Sequence, residues 1–140
     1  MTNDPSAVIG NPFTARRVVE VEVVAVLDAR RDNRNMRLIE PLTRAVRKGE
    51  IHEFILTDEM HVQPGSTVDR VAYLAFAVIR REGIIRTGDD LVVDGKIVGQ
   101  IAGYDETHMP NHMNIVIYAE KAKTGAEIGL ALGQGFTVGS

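Results

Sequence analysis

Valines at every second position open the first patterned stretch of the chain. Over residues 17–27, Val19, Val21, Val23, Ala25 and Leu27 fall on one face. Glu20 and Glu22 fall on the other, before Val24 and Val26 take over. A period of two with β-branched side chains predicts a strand, half exposed at its start and more buried at its end. Residues 28–35 are charged and turn-rich and read as a loop. Residues 41–48 are expected to form a short helix, with Pro41 at its first position and Gly49 as its stop. Residues 51–57 alternate weakly and read as a second strand, followed by a turn at Gln63-Pro64-Gly65-Ser66.

Residues 66–81 carry two patterns at once. Ser66 and Asp69 resemble a helix cap, and Val68, Val71, Ala72, Ala75 and Ile79 recur at helical spacing. Val71, Tyr73, Ala75, Ala77 and Ile79 also alternate. A helix is favoured at the start of this stretch, with a strand allowed at its end. From Gly88 onward the pattern is β. Leu91-Val92-Val93 leads into Asp94-Gly95 and then into residues 97–102, a strong hairpin signal because both turn positions favour positive φ. Residues 113–119 alternate again, and 121–126 read as a loop. Residues 128–138 read as short strands broken by Gly129, Gly133 and Gly135, with Gly139 just beyond. Many short strands with glycine at the bends suggest a closed sheet, since closure removes exposed edges. The expected fold is therefore mainly β, a small β-barrel with one or two short helices. Residues 1–16 are expected to be a flexible tail, and residues 17–140 one domain.

Composition narrows the chemistry. A chain of 140 residues, 44% hydrophobic and 25% charged, suffices for one domain with a real core. It has no cysteine, which excludes disulfides, thiolate metal sites and a cysteine nucleophile. The net charge is −3, tryptophan is absent, and the basic residues between Arg30 and Lys48 are interleaved with Asp32 and Glu40. Nucleic acid is accordingly not an expected partner. Residues 1–15 are polar and broken by Pro5, Gly10 and Pro12, and no stretch approaches the roughly 18–20 apolar residues of a membrane span. No membrane partner and a cytoplasmic location are expected.

The run Thr87-Gly88-Asp89-Asp90-Leu91-Val92-Val93, then Ile97-Val98-Gly99-Gln100-Ile101-Ala102-Gly103, leads to Asn111-His112 and a strand at 114–118. Over residues 64–138 this resembles the glucitol/sorbitol-specific IIA component of the sugar phosphotransferase system. The resemblance implies a similar β-barrel. That family passes a phosphoryl group through a histidine on the strand before the Gly-Asp motif. Phe76 stands at the corresponding position here, with Val78 two residues on, and neither can carry phosphate.

The densest polar chemistry lies in residues 105–114, which join two strands: Asp105, Glu106, Thr107, His108, Asn111, His112 and Asn114, next to Tyr104. An imidazole titrates near neutrality, and a carboxylate beside it can orient it for acid–base work. His112 and His108 are the candidate acid–base groups, and Asp105 and Glu106 their orienting partners. Asn111 and Asn114 are candidate donors to a developing oxyanion, and Tyr104 and His52 candidate ligand contacts. If the strand at 51–57 lies beside that at 113–119, His52 or Glu53 faces the same cavity. His108 and His112 have a metal-like spacing, but Pro110 between them opposes a helix, so no metal and no cofactor are assigned. Asp, Thr and Asn in such a segment also cap their own backbone. Arg30, Arg31, Arg34 and Arg37 are either a clamp for phosphate or carboxylate or a solvated loop face. The leading expectation is a protein that binds a small polar molecule, with cofactor-independent proton chemistry of the isomerase, lyase or cyclase type. Two alternatives stand beside it. A homo-oligomer is expected in either case, and one alternative is a non-enzymatic accessory or regulatory protein related to sugar phosphotransferase components, whose strand at 17–27 pairs with another subunit. The other is a histidine-ligated metalloprotein.

Overall fold

The structure, a computed structural model, describes residues 18–139. The tail expected at 1–16 lies outside the described residues. Twelve strands follow in chain order: β1 (Val19–Val26), β2 (Arg30–Arg31), β3 (Met36–Arg37), β4 (Thr43–Val46), β5 (Ile51–Thr57), β6 (Thr67–Val68), β7 (Val71–Arg81), β8 (Gly83–Arg86), β9 (Asp90–Val93), β10 (Lys96–Asp105), β11 (Asn114–Tyr118) and β12 (Gly135–Gly139). A single short helix, α1 (Gly125–Ile128), precedes β12. Seven strands close into a barrel in the order β1-β12-β9-β10-β11-β5-β7, with β7 returning to β1. Every pairing is antiparallel except β11 with β5, which is parallel. Two small ladders, β3–β6 and β4–β8, lie outside this circuit.

The Asp94-Gly95 hairpin forms as the sequence requires. Asp94 has φ 52° and Gly95 φ 74°, and the turn joins β9 to β10. Alternation along the strands then fills the inside of the barrel with Val19, Val21, Val23, Phe54, Leu56, Leu74, Ile101, Ile115, Ile117 and Phe136. Phe54 and Phe136 meet edge to face at 5.1 Å. Burying each such side chain contributes about 1.5–3 kcal/mol. A second apolar cluster forms on the outer wall: Met36, Leu38, Ile55, Val68, Val71, Ala102 and Val116. Residues 34–39, running along β3, fold back over the wall and cover it. Strand β5 is thus covered on both faces, which is why its alternation is weak in the sequence.

Four local expectations are corrected. Residues 41–48 are not helical: β4 pairs with β8, and Gly49, at φ 96°, turns the chain toward β5. Residues 66–81 hold no helix: they form β6 and β7, with a break at 69–70. Leu74 is an extra residue on β7, since Phe54 pairs with Ala75 and Ile55 with Tyr73. This bulge shifts the phase of burial and imitates helical spacing. The helix that does form was read as loop and strand. Thr124 caps it, accepting from the backbone N–H of Glu127, whose carboxylate accepts from the N–H of Thr124, and Gly129 ends it at φ 88°. In β1 the burial gradient is also reversed. Val24 is 41% exposed, because the register slips between Val23 and Ala25 and pushes it outward. Both edges of β1 are engaged inside the barrel, by β12 over Val19–Glu22 and by β7 over Glu20–Val26. Among the described residues no helix is long and apolar enough to cross a membrane.

Candidate functional site

Four strands bring four side chains into one row. Asp105 on β10 pairs with Asn114 on β11, Asn114 with Glu53 on β5, and Glu53 with Phe76 on β7. Alternation places all four on the outer wall, because their neighbours Tyr104, Ile115, Phe54 and Ala75 point inward. The residues of the row come from four separate stretches of the chain, and the parallel pairing of β5 with β11 joins its two halves.

Three members of the row, Asp105, Asn114 and Glu53, are polar and buried. Asp105 accepts from the Thr107 hydroxyl at 2.6 Å and from Asn114 Nδ2 at 2.8 Å. A carboxylate needs donors, so the Asn114 amide turns its NH₂ to Asp105 and leaves its oxygen, Oδ1, buried with no partner. Asn114 therefore presents an acceptor to the site, where the sequence suggested a donor. Its amide hydrogens go to Asp105 and to the Met36 sulfur at 3.8 Å.

Above the row the chain makes a compact turn over residues 106–112, held by Met109 N–H to the Glu106 carbonyl and Asn111 N–H to the His108 carbonyl, with a cis peptide before Pro110. This turn lowers His112 onto the wall. Its ring meets the Phe76 ring edge to face at 5.1 Å and the His108 ring at 5.2 Å. Its Nε2 is buried, makes no hydrogen bond, and lies 3.7 Å from Glu53 Oε1. That distance exceeds a hydrogen bond, and burial outweighs the attraction. Burial, with the charged forms of His108 and His52, pushes His112 below its ordinary value of 6.5, against a weaker opposite pull from Asn114 and Asp105. Burial likewise pushes Glu53 above its ordinary value of 4.5, although His108 and Arg34 favour its charged form. The site thus brings together an imidazole and a carboxyl whose charged forms burial disfavours.

Arg34 closes the other side. Asp69 pins this loop: its carbonyl accepts from Arg34 N–H at 3.0 Å and its carboxylate from Asn35 N–H at 3.0 Å. Arg34 Nε donates to the Tyr73 hydroxyl at 3.2 Å, and Nη2 makes a long 3.5 Å contact with His108 Nε2.

The other candidates take different places. His52 is buried on the inward-facing side of β5. Its Nδ1 accepts from Met113 N–H at 2.9 Å and its Nε2 meets Glu50 at 3.0 Å, which orients the ring and ties β5 to the residue after His112. Glu106 pairs with Arg44 at 2.7 Å and does not reach His112. Asn111 is exposed on the turn. Tyr104 is wholly buried inside the barrel and donates to the Ile85 carbonyl at 3.2 Å, on the opposite face from the row. His61, at φ 65°, is exposed beside Met60 and joins none of these contacts. Among the described residues no group of three His, Asp or Glu side chains has the spacing to hold a metal ion. Glu53 is the carboxyl nearest the His112 imidazole, and only the neighbouring of strands 51–57 and 113–119 could have singled it out. Tyr73 carried no signal of its own in the sequence.

No curated protein and no solved structure matches the chain. One family model spans residues 13–139, nearly the whole sequence, and its description is a family of unknown function. The protein is a member of that family, DUF6917.

Proposed function

We propose that the outer wall at Glu53 and His112 binds a small polar molecule and moves a proton on it without a cofactor. The observation that carries this reading is the buried, unpartnered Nε2 of His112, 3.7 Å from the carboxyl of Glu53. A neutral imidazole is a competent base near pH 7, and a carboxyl with a raised pKa is a competent acid. Once a ligand displaces the turn at 106–112 far enough to reach it, Nε2 takes a proton from a C–H or O–H of the ligand, and Glu53 returns one to a second ligand atom. Passage of the proton from His112 to Glu53 then restores the starting state, so an isomerisation balances. Asp105 and Asn114 act beneath this pair as a fixed polar floor. Phe76, the position that the phosphotransferase resemblance aligns with a reactive histidine, is here the ring against which His112 packs. A cytoplasmic setting remains part of this reading, as does a homo-oligomer formed through side-chain faces.

The test is a screen of small polar metabolites against ¹⁵N-labelled protein, followed by nuclear magnetic resonance. Compounds that bind here shift the signals of Glu53, His112 and Asn114, and H112N weakens them at least tenfold. If no compound moves those signals, or if H112N binds every compound as well as the parent, the reading fails.

A further inference from the structure

We infer that Arg34, with His108, anchors a carboxylate at the mouth of this wall, so that the ligand is a small organic monocarboxylate. The inference rests on the proposed ligand site and adds the ligand's chemical class. Its ground is a contrast between the two half-buried arginines, since exposed Arg31, Arg37, Arg47 and Arg86 also lack an ion pair among the described residues. Ten arginines lie in the described residues, and only Arg34 and Arg44 are half-buried. Arg44 has its carboxylate, Glu106, at 2.7 Å. The exposed Arg30, Arg70, Arg80 and Arg81 also pair with carboxylates. Arg34 pairs with none of the described residues, and its bonds go to a neutral phenol and an imidazole. A partly desolvated guanidinium that makes no ion pair with a carboxylate among the described residues is costly, and its planar fork suits the two oxygens of a carboxylate.

The position is right for a ligand of that class. Arg34 touches His108, His108 packs on His112, and His112 faces Glu53. An anion held by Arg34 and His108 therefore places the ligand's neighbouring atoms over the His112–Glu53 pair. Charge decides between anions. The wall supplies one permanent positive charge, Arg34, and a nine-tenths-buried carboxyl, Glu53, lies close by. One negative charge balances that arginine. A phosphate dianion brings a second negative charge that no further permanent cation of the wall balances, at a cost that rises as the site loses water.

The experiment titrates sodium lactate, acetate, inorganic phosphate and glycerol into the ¹⁵N-labelled full chain. It follows the Arg34 side-chain Nε–H and the two histidine rings. Saturable shifts of Arg34 and His108 are expected with lactate and acetate, weaker ones with phosphate and none with glycerol. R34Q is expected to weaken lactate binding at least tenfold, and R34K by an intermediate amount. Absence of a saturable shift with both monocarboxylates overturns the inference. So does phosphate binding tighter than lactate, or R34Q binding lactate as the parent does. Lactate bound through Arg34 while no compound responds to H112N would retain the anchor and remove the proton-transfer reading.

Discussion

Replacing Asn114 by alanine tests whether the polar floor is held by the Asp105–Asn114 bond. Asn114 is 0% exposed and Asp105 3%. The lost bond, at 2.8 Å to a carboxylate, contributes about 1.5–3 kcal/mol. Truncation beside Met36 also leaves a small cavity, costing about 1 kcal/mol. Against these, the orphaned Oδ1 disappears, which returns about 1 kcal/mol or somewhat more. The expected net loss for N114A is about 2 kcal/mol. The double-mutant cycle with D105A is sharper, because the cavity and orphan contributions cancel and the pair's coupling remains, at about 1.5–3 kcal/mol. The chain has no tryptophan, so urea unfolding followed by far-ultraviolet circular dichroism is the suitable assay. A coupling below about 0.5 kcal/mol, or an N114A variant more stable than the parent, would refute the assignment.

Two of the remaining predictions concern pH and one the backbone. His112 titrates below 6.5 when folded, so at pH 7.5 it is neutral in both states and costs nothing. As pH falls through 6.5, the unfolded chain gains a proton that the folded one resists, and stability drops. H112N should lose that part of the acid sensitivity in melting curves recorded from pH 7.5 to 5, and an unchanged slope would count against it. Glu53 runs the other way, since its folded value lies above 4.5. Its ionised form is a burden above that folded value, so E53Q should be the more stable protein at pH 7. The advantage should fade as pH falls to about 4.5, where the unfolded chain also holds the proton; equal melting temperatures at pH 7 would contradict this. Gly125 has no room for a side chain: a Cβ there would sit 1.9 Å from the Leu74 carbonyl oxygen. G125A should cost about 3 kcal/mol or more, read by urea unfolding; a loss under about 1 kcal/mol would mean the helix moves away freely.

Where one force dominated, the sequence was legible. Asp94-Gly95 demanded its turn, and the valines of β1 demanded a half-buried strand. Where two forces overlapped, it was not. The bulge at Leu74 and the cover on both faces of β7 hid a period of two behind helical spacing. Pro41 and Gly49 are as compatible with a strand between turns as with a helix, and only pairing with residues 83–86 decides. Thr124-x-x-Glu127 before Gly129 was a readable capping signal that the loop reading passed over. The candidate site divides the same way. The 105–114 segment was visible as concentrated polarity, and His112 and Asn114 within it do meet. Glu53 and Arg34 join them through strand neighbours and a folded-back loop, relations that no local pattern encodes.

The row Asp105–Asn114–Glu53–Phe76 also bears on how this protein is made. Its members are contributed by residues far apart in the chain, across one parallel and two antiparallel pairings. The antiparallel link between β10 and β11 is local, whereas β5 must wait for residues more than fifty positions later. Such long-range pairing is entropically expensive and forms late. The imidazole of His112 therefore finds Glu53 and Phe76 only after β11 has docked beside β5. Any signal that depends on their contact is a report on completed assembly, and partly formed chains, still lacking that strand, remain silent.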